Sequence, residues 1–134
     1  MFTSEIKIRV RYGETDRMGY VYYGHYAQYF EVARVEALRN LGFSYRKLED
    51  KGIILPVLNY SVKFLKPAFY DDCLTIKVVI NELPMARIRF DYEVYNEKNE
   101  LITVADTTLV FINRKSNKPC GAPNDFLEAL KDFF

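Results

Sequence analysis

Apolar and polar positions change their spacing along this chain, and each change predicts a different element. From Glu5 to Tyr12 they alternate, with Ile6, Ile8, Val10 and Tyr12 on one side and Lys7, Arg9 and Arg11 on the other. A period of two marks a half-buried strand. From about Gly24 to Leu41 the period lengthens: Tyr26, Tyr29, Phe30, Ala33, Ala37, Leu38 and Leu41 fall on one helical stripe, and Gly42 stands where a helix ends in a left-handed residue. At 1.5 Å per residue such a helix runs roughly 27 Å, enough to cross a small sheet. Alternation returns from Val57 to Phe64, Leu74 to Leu83, Ala86 to Tyr95 and Leu101 to Asn113, which reads as an antiparallel meander of four strands in sequence.

The third of these stretches is the clearest, with Ile88, Phe90, Tyr92 and Val94 facing one way. Leu83-Pro84-Met85 makes a tight corner and Asn96 to Glu100 a short polar hairpin connection. The segment holding Lys47, Glu49, Asp50 and Gly52 reads as a connection, and Arg114 to Pro123 as a loop. Asn124 is expected to cap a short last helix with Phe126, Leu127, Leu130 and Phe133 on one side. The order implies an α+β fold, a single domain over 1–134 in which a curved antiparallel sheet wraps one long central helix.

Composition narrows the function classes. Hydrophobic residues at 49% and charged residues at 28% suit a globular domain and disfavour wholesale disorder or a membrane protein. The amino-terminal stretch alternates instead of forming an apolar run, so the expected address is cytoplasmic. A net charge of +1, with Lys and Arg spread along the chain, makes nucleic acid a poor partner. Cys73 and Cys120 form no CxxC pattern and read as reduced structural thiols.

The single histidine, His25, rules out a His-rich metal site and would have to serve any Ser–His–Asp triad. P-loop, GxGxxG and GxSxG patterns do not occur. Carboxylate and backbone chemistry remain. Asp16 sits in a glycine-bearing aromatic loop that runs into the long helix, whose unpaired N–H groups favour developing negative charge. That pairing suits chemistry at an acyl carbonyl. Spacing alone equally allows Asp16 as a turn or cap residue. Eleven Tyr and ten Phe crowd the chain, several between Tyr20 and Phe30; they fit either an aromatic core or a ligand channel and partner surface.

The run Glu14-Thr15-Asp16-Arg17-Met18-Gly19-Tyr20-Val21-Tyr22-Tyr23-Gly24-His25-Tyr26, followed by Tyr29-Phe30-Glu31 and Ala33-Arg34, resembles the signature of hotdog-fold acyl-CoA thioesterases of the 4-hydroxybenzoyl-CoA thioesterase class, in their short bacterial branch. Tyr60 to Ala68 and Ala105 to Phe111 are similar to that family's second strand with its Pro-Ala corner and to its last strand, so the likeness spans the chain. The resemblance implies a hotdog fold, a homodimer or homotetramer with active sites at the dimer interface, and no metal or organic cofactor. It carries the catalytic aspartate onto Asp16 and the backbone donor that polarises the thioester oxygen onto Tyr23. Gly19, Tyr22, His25 and Tyr26 are then expected around the substrate. Many relatives carry His where this chain has Tyr23, Asn where it has His25, and Asp where it has Glu14.

The implied reaction is hydrolysis of an acyl-CoA to free acid and coenzyme A. Rival readings are a thioesterase for acyl carrier protein, a hydratase using His25 with Glu31, and a non-catalytic acyl-CoA-binding module. Glu31 and Arg34 lie one helical turn apart and read as an intrahelical pair, with Glu31 a reserve carboxylate. Lys63, Lys66, Arg87, Arg89 and Arg114 read as solvated strand cations.

Overall fold

Alternation at the start of the chain becomes strand β1 (Phe2–Arg9), a 3-10 turn follows at Tyr12–Glu14, and the long stripe becomes helix α1 (His25–Asn40) in the computed structural model, which describes residues 1–134. After α2 (Tyr45–Asp50) and the short β2 (Ile53–Ile54) come β3 (Val57–Phe64), β4 (Cys73–Ile80), β5 (Arg87–Tyr95) and β6 (Leu101–Val110). Two short strands, β7 (Ile112–Asn113) and β8 (Lys118–Pro119), and helix α3 (Asn124–Lys131) complete the chain.

The main sheet has five antiparallel strands in the order β1-β4-β5-β6-β3; β2, β7 and β8 form a small second sheet. The four later strands therefore do not form the simple meander expected. Strands β4, β5 and β6 do, but β3 crosses to the far side of β6 and leaves the neighbour position of β4 to β1. Each of β3 and β1 thus ends an edge. Five strands at about 4.8 Å spacing span about 19 Å, and α1 at about 24 Å crosses them all. Its Phe30 ring meets that of Tyr92 on β5 at 4.5 Å, and its Tyr26 ring meets that of Phe64 on β3 at 5.1 Å.

Tertiary burial holds α1, since an isolated helix of this length is marginal in water. Tyr26, Tyr29, Phe30, Ala33, Ala37 and Leu38 are buried, and each large side chain among them contributes about 2 kcal/mol by leaving water. The sheet offers a matching face: Ile88, Phe90, Tyr92 and Val94 are all buried, as their alternation predicts. At the end of α1 the Phe43 N–H donates to the Leu38 carbonyl and the Gly42 N–H to that of Arg39, both at 2.9 Å. Gly42 has φ of +85° there, the left-handed residue of a Schellman turn.

Several local expectations fail. Tyr12 is 78% exposed because the chain leaves the sheet after Val10 and turns. The segment after Gly42 folds as α2, with the Ser44 side chain accepting the Lys47 N–H at 3.1 Å. Asn124 is the first residue of α3 rather than its cap, a place Pro123 holds. Of the four apolar residues expected on one side of that helix, Phe126 and Leu130 are buried, while Phe133 falls beyond its end and stays exposed.

Candidate active site

The loop between the 3-10 turn and α1 is built around Asp16. Its main-chain N–H donates to the Tyr20 carbonyl at 2.8 Å, and the Gly19 N–H donates to the Asp16 carbonyl at 3.0 Å. Gly19 closes this turn with φ of +84°, which a residue with a Cβ adopts only under strain. The Asp16 side chain completes the turn: Oδ1 accepts the N–H groups of Met18 at 2.9 Å and Tyr20 at 3.2 Å. The second carboxylate oxygen, Oδ2, accepts no hydrogen bond from the chain. The turn role is thus real, and it occupies one oxygen only.

Beyond the turn the chain is stitched to two neighbours. The Val21 N–H donates to the Ala68 carbonyl at 2.8 Å, and the Tyr22 N–H to the Glu14 carbonyl at 2.9 Å. The helix then begins, with the His25 N–H donating to the Tyr22 carbonyl at 2.9 Å and the Tyr26 N–H to that of Tyr23 at 3.3 Å. The N–H groups of Tyr23 and Gly24 find no acceptor in the chain, as the geometry of a helix start requires. Unpaired donors and the positive end of the helix dipole therefore coincide near Tyr23.

A solvent-open cavity of about 280 Å³ lies here. The loop supplies Asp16, Met18 and Tyr20, the helix start supplies Tyr23 and Tyr26, and the end of β3 supplies Phe64 with Lys66 and Pro67 beyond it. Burial pushes the Tyr26 phenol above its ordinary pKa, so it stays a neutral hydroxyl. Lys66 is paired with Glu100 at the rim. A larger cavity of about 530 Å³ covers the outer face of the sheet between Lys63, Lys77, Asp91, Glu93 and Asp106. It has mixed charge and no helix end, so the smaller one is the better site for carbonyl chemistry.

Of the residues expected from sequence, Asp16, Tyr23 and Tyr26 meet in this cavity. Gly19, Tyr22 and His25 do not line it. Gly19 shapes the turn, and the Tyr22 ring packs against that of Tyr23 at 4.7 Å. His25 shares a hydrogen bond between Nδ1 and Gln28 Oε1 at 3.2 Å, and its ring meets Tyr22 edge-on at 6.0 Å. Phe64 and Lys66 lie outside the loop motif because they arrive from β3 and the residues after it; the sequence placed them in the Tyr60 to Ala68 resemblance, but not at the site, and read Lys66 as a solvated cation.

Two buried polar networks also went unforeseen. Glu14, 6% exposed, accepts the Tyr29 hydroxyl at 2.8 Å and the Arg11 guanidinium at 2.9 Å. Arg34 does not pair with Glu31 but turns inward, donating to the hydroxyls of Tyr45 at 3.0 Å and Tyr92 at 3.2 Å. Tyr92 in turn shares a 2.7 Å hydrogen bond with Thr107. A helical stripe read only for apolar residues passes over a polar one with inward partners.

A family model described as the thioesterase-like superfamily matches residues 10–130. The acyl-CoA thioester hydrolase YbgC of Escherichia coli O6:H1 is 30% identical over 124 residues, 92% of this chain and 92% of that protein. The DHNA-CoA thioesterase from Staphylococcus aureus has a solved structure that superposes with a TM-score of 0.94 at 38% identity, covering 99% of this chain and 91% of that one. A 4-hydroxybenzoyl-CoA thioesterase structure superposes with a TM-score of 0.87 over 96% of this chain and 99% of that one; at 22% identity the likeness is one of fold.

Proposed function

The chain belongs to the thioesterase-like superfamily and is a hotdog-fold acyl-CoA thioesterase, and from that premise we propose that Asp16 and the Tyr23 amide carry its reaction. The observation behind this reading is the shared cavity. Asp16 enters it with one oxygen fixed by two backbone donors and the other unengaged, and Tyr23 enters it at the helix end with an N–H that lacks an acceptor. The thioester carbonyl oxygen would accept the Tyr23 N–H, and the donor gains strength as the oxygen becomes negative at the tetrahedral stage.

Asp16 acts on the carbonyl carbon in one of two ways. As a base it takes a proton from a water that attacks; as a nucleophile it forms a mixed anhydride that water then opens. In both, the carbon–sulfur bond breaks with its electron pair leaving on the coenzyme A thiolate. In the base route the acid departs with an oxygen from water; in the nucleophile route, with water opening the anhydride at the Asp16 carboxyl carbon, the acid departs with an Asp16 oxygen that water replaces. A single turnover in ¹⁸O water separates the two: the base route labels the product at once, and the nucleophile route delivers unlabelled acid and labels Asp16. Thiol release from a panel of acyl-CoAs tests the whole reading, and unchanged release by Asp16→Ala would reject it. Tyr20, Tyr23, Tyr26 and Phe64 give the cavity aromatic walls, which favour an apolar or aromatic acyl group; from outside it, Gly19 shapes the turn, Tyr22 packs against Tyr23, and His25 packs against Tyr22.

The working form is a homo-oligomer. Every residue of edge strand β3 except Val62 is exposed, Leu58 and Phe64 among them at 52% and 45%. An apolar strand edge with free backbone groups favours pairing with the same strand of a second copy. Sedimentation at dilute concentration tests this, and a monomer would refute it. No helix is long and apolar enough to cross a membrane. A cytoplasmic address completes the proposal, supported by the free thiols Cys73 and Cys120.

A further inference from the structure

Glu14 is buried two residues before Asp16 and takes no part in the steps above, yet its hydrogen bonds converge on the groups that do. Its Oε1 accepts the Arg11 N–H at 2.9 Å and the Tyr29 hydroxyl at 2.8 Å, and Oε2 accepts the Arg11 guanidinium at 2.9 Å and 3.2 Å. Its carbonyl accepts the Tyr22 N–H at 2.9 Å. One residue thereby grips the helix through Tyr29, the segment leading to Tyr23 through Tyr22, and the start of its own turn through Arg11. We infer that Glu14 is a positioning residue for thioester hydrolysis: its carboxylate braces the Asp16 loop against α1 through Tyr29 and so holds the Tyr23 amide opposite Asp16.

This rests on the hydrolase reading above and deepens it. A brace is needed because Asp16 and Tyr23 belong to different local structures, a turn and a helix end, whose separation no bond between them fixes. A displacement near 1 Å between reacting groups costs about a hundredfold in rate. The pair at the centre keeps its charge pattern over a wide pH range. Burial pushes the Glu14 carboxyl up, but hydrogen bonds from Arg11 and Tyr29 outweigh it and hold the group below its usual value. Burial and then the Glu14 charge push the Tyr29 phenol up, so it remains a donor.

Two variants separate positioning from bulk stability. Tyr29→Phe removes the bond to the helix and keeps the ring's packing, whereas Glu14→Gln keeps an acceptor for Tyr29 and sacrifices the charged contact with Arg11. With acyl-CoA turnover of wild type as reference, Tyr29→Phe should lower kcat about tenfold with KM within about twofold. Glu14→Gln should keep kcat within about threefold although it melts at lower temperature. In an Asp16→Ala background, where bound substrate persists, the infrared carbonyl stretch of an acyl-CoA should lie below its free value, and adding Tyr29→Phe should return it upward.

Wild-type kcat in Tyr29→Phe, or losses in both variants that simply follow melting temperature, would overturn the positioning role and leave the hydrolase reading intact. Absence of turnover in wild type itself would remove that reading and the positioning role with it.

Discussion

Helix α1 carries polar chemistry at two places, and the two are treated in opposite ways. At its first turn the donors of Tyr23 and Gly24 and one oxygen of Asp16 are left without partners beside an open cavity. Near its middle, Arg34 is 7% exposed and is engaged by Tyr45 and Tyr92, with Thr107 behind them, although no carboxylate balances its charge. The contrast separates function from architecture. A polar group that water or a ligand can reach is free to remain unpaired, whereas one inside must be hydrogen-bonded or cost the fold about 1 to 3 kcal/mol. The unpaired helix end suits the substrate role proposed for it, and the helix middle belongs to the fold.

Substitutions at the two places should have complementary effects. Asp16→Ala should cut thioester turnover by at least about a hundredfold and leave the far-ultraviolet circular dichroism spectrum and the melting temperature close to wild type. A parallel loss of structure would put Asp16 with the fold after all. Arg34→Met should do the reverse. Removing the buried donor leaves the Tyr45 hydroxyl unpaired, at a cost of about 2 kcal/mol, or about 8 °C in melting temperature, with kcat within about twofold of wild type. Calorimetry and initial rates on the same preparation check both halves.

The pH dependence of stability sharpens the distinction further. Hydrogen bonds hold the Glu14 carboxyl below its ordinary 4.5, so the unfolded chain takes up its proton first as acid is added. Its contribution is whole above about pH 4.5 and is lost as pH falls through the folded value. Burial, opposed by Arg34, pushes Tyr92 up to about 12 from 10.0. Its contribution is whole below pH 10 and disappears as pH rises through about 12. Denaturant midpoints across pH should show Tyr29→Phe flattening both limbs, because it removes a hydrogen bond to Glu14 and a phenol whose pKa is raised, and Tyr92→Phe flattening the alkaline limb alone. The smallest effect belongs to a residue in neither network: Gly42→Ala forces φ of +85° on a residue with a Cβ and should cost about 1 kcal/mol in a chemical melt, without touching turnover.

Much of this was legible from residue spacing. The helix of α1 needed only its apolar stripe and Gly42, and β5 only its alternation, because each local period matches the face the fold buries. The position of β3 was not legible. Alternation gives a strand its two faces but not its neighbour, and β3 reaches the far edge beside β6 through pairings that no short stretch encodes. Arg34 was misjudged for a related reason: its i,i+3 spacing from Glu31 is a local fact, and the hydroxyls that draw it inward come from α2 and β5.

Sequence alone determined that a carboxylate and a helix start would lie within a few residues of each other, since one short loop joins them and its turn chemistry is local. Tertiary structure decided which atoms stayed free, that Phe64 and Lys66 would complete the cavity, and that Glu14 in the 3-10 turn would reach Tyr29 on α1. Those contacts join segments far apart or facing one another in the folded chain, and only simultaneous packing of the sheet around α1 brings them within hydrogen-bonding and van der Waals range.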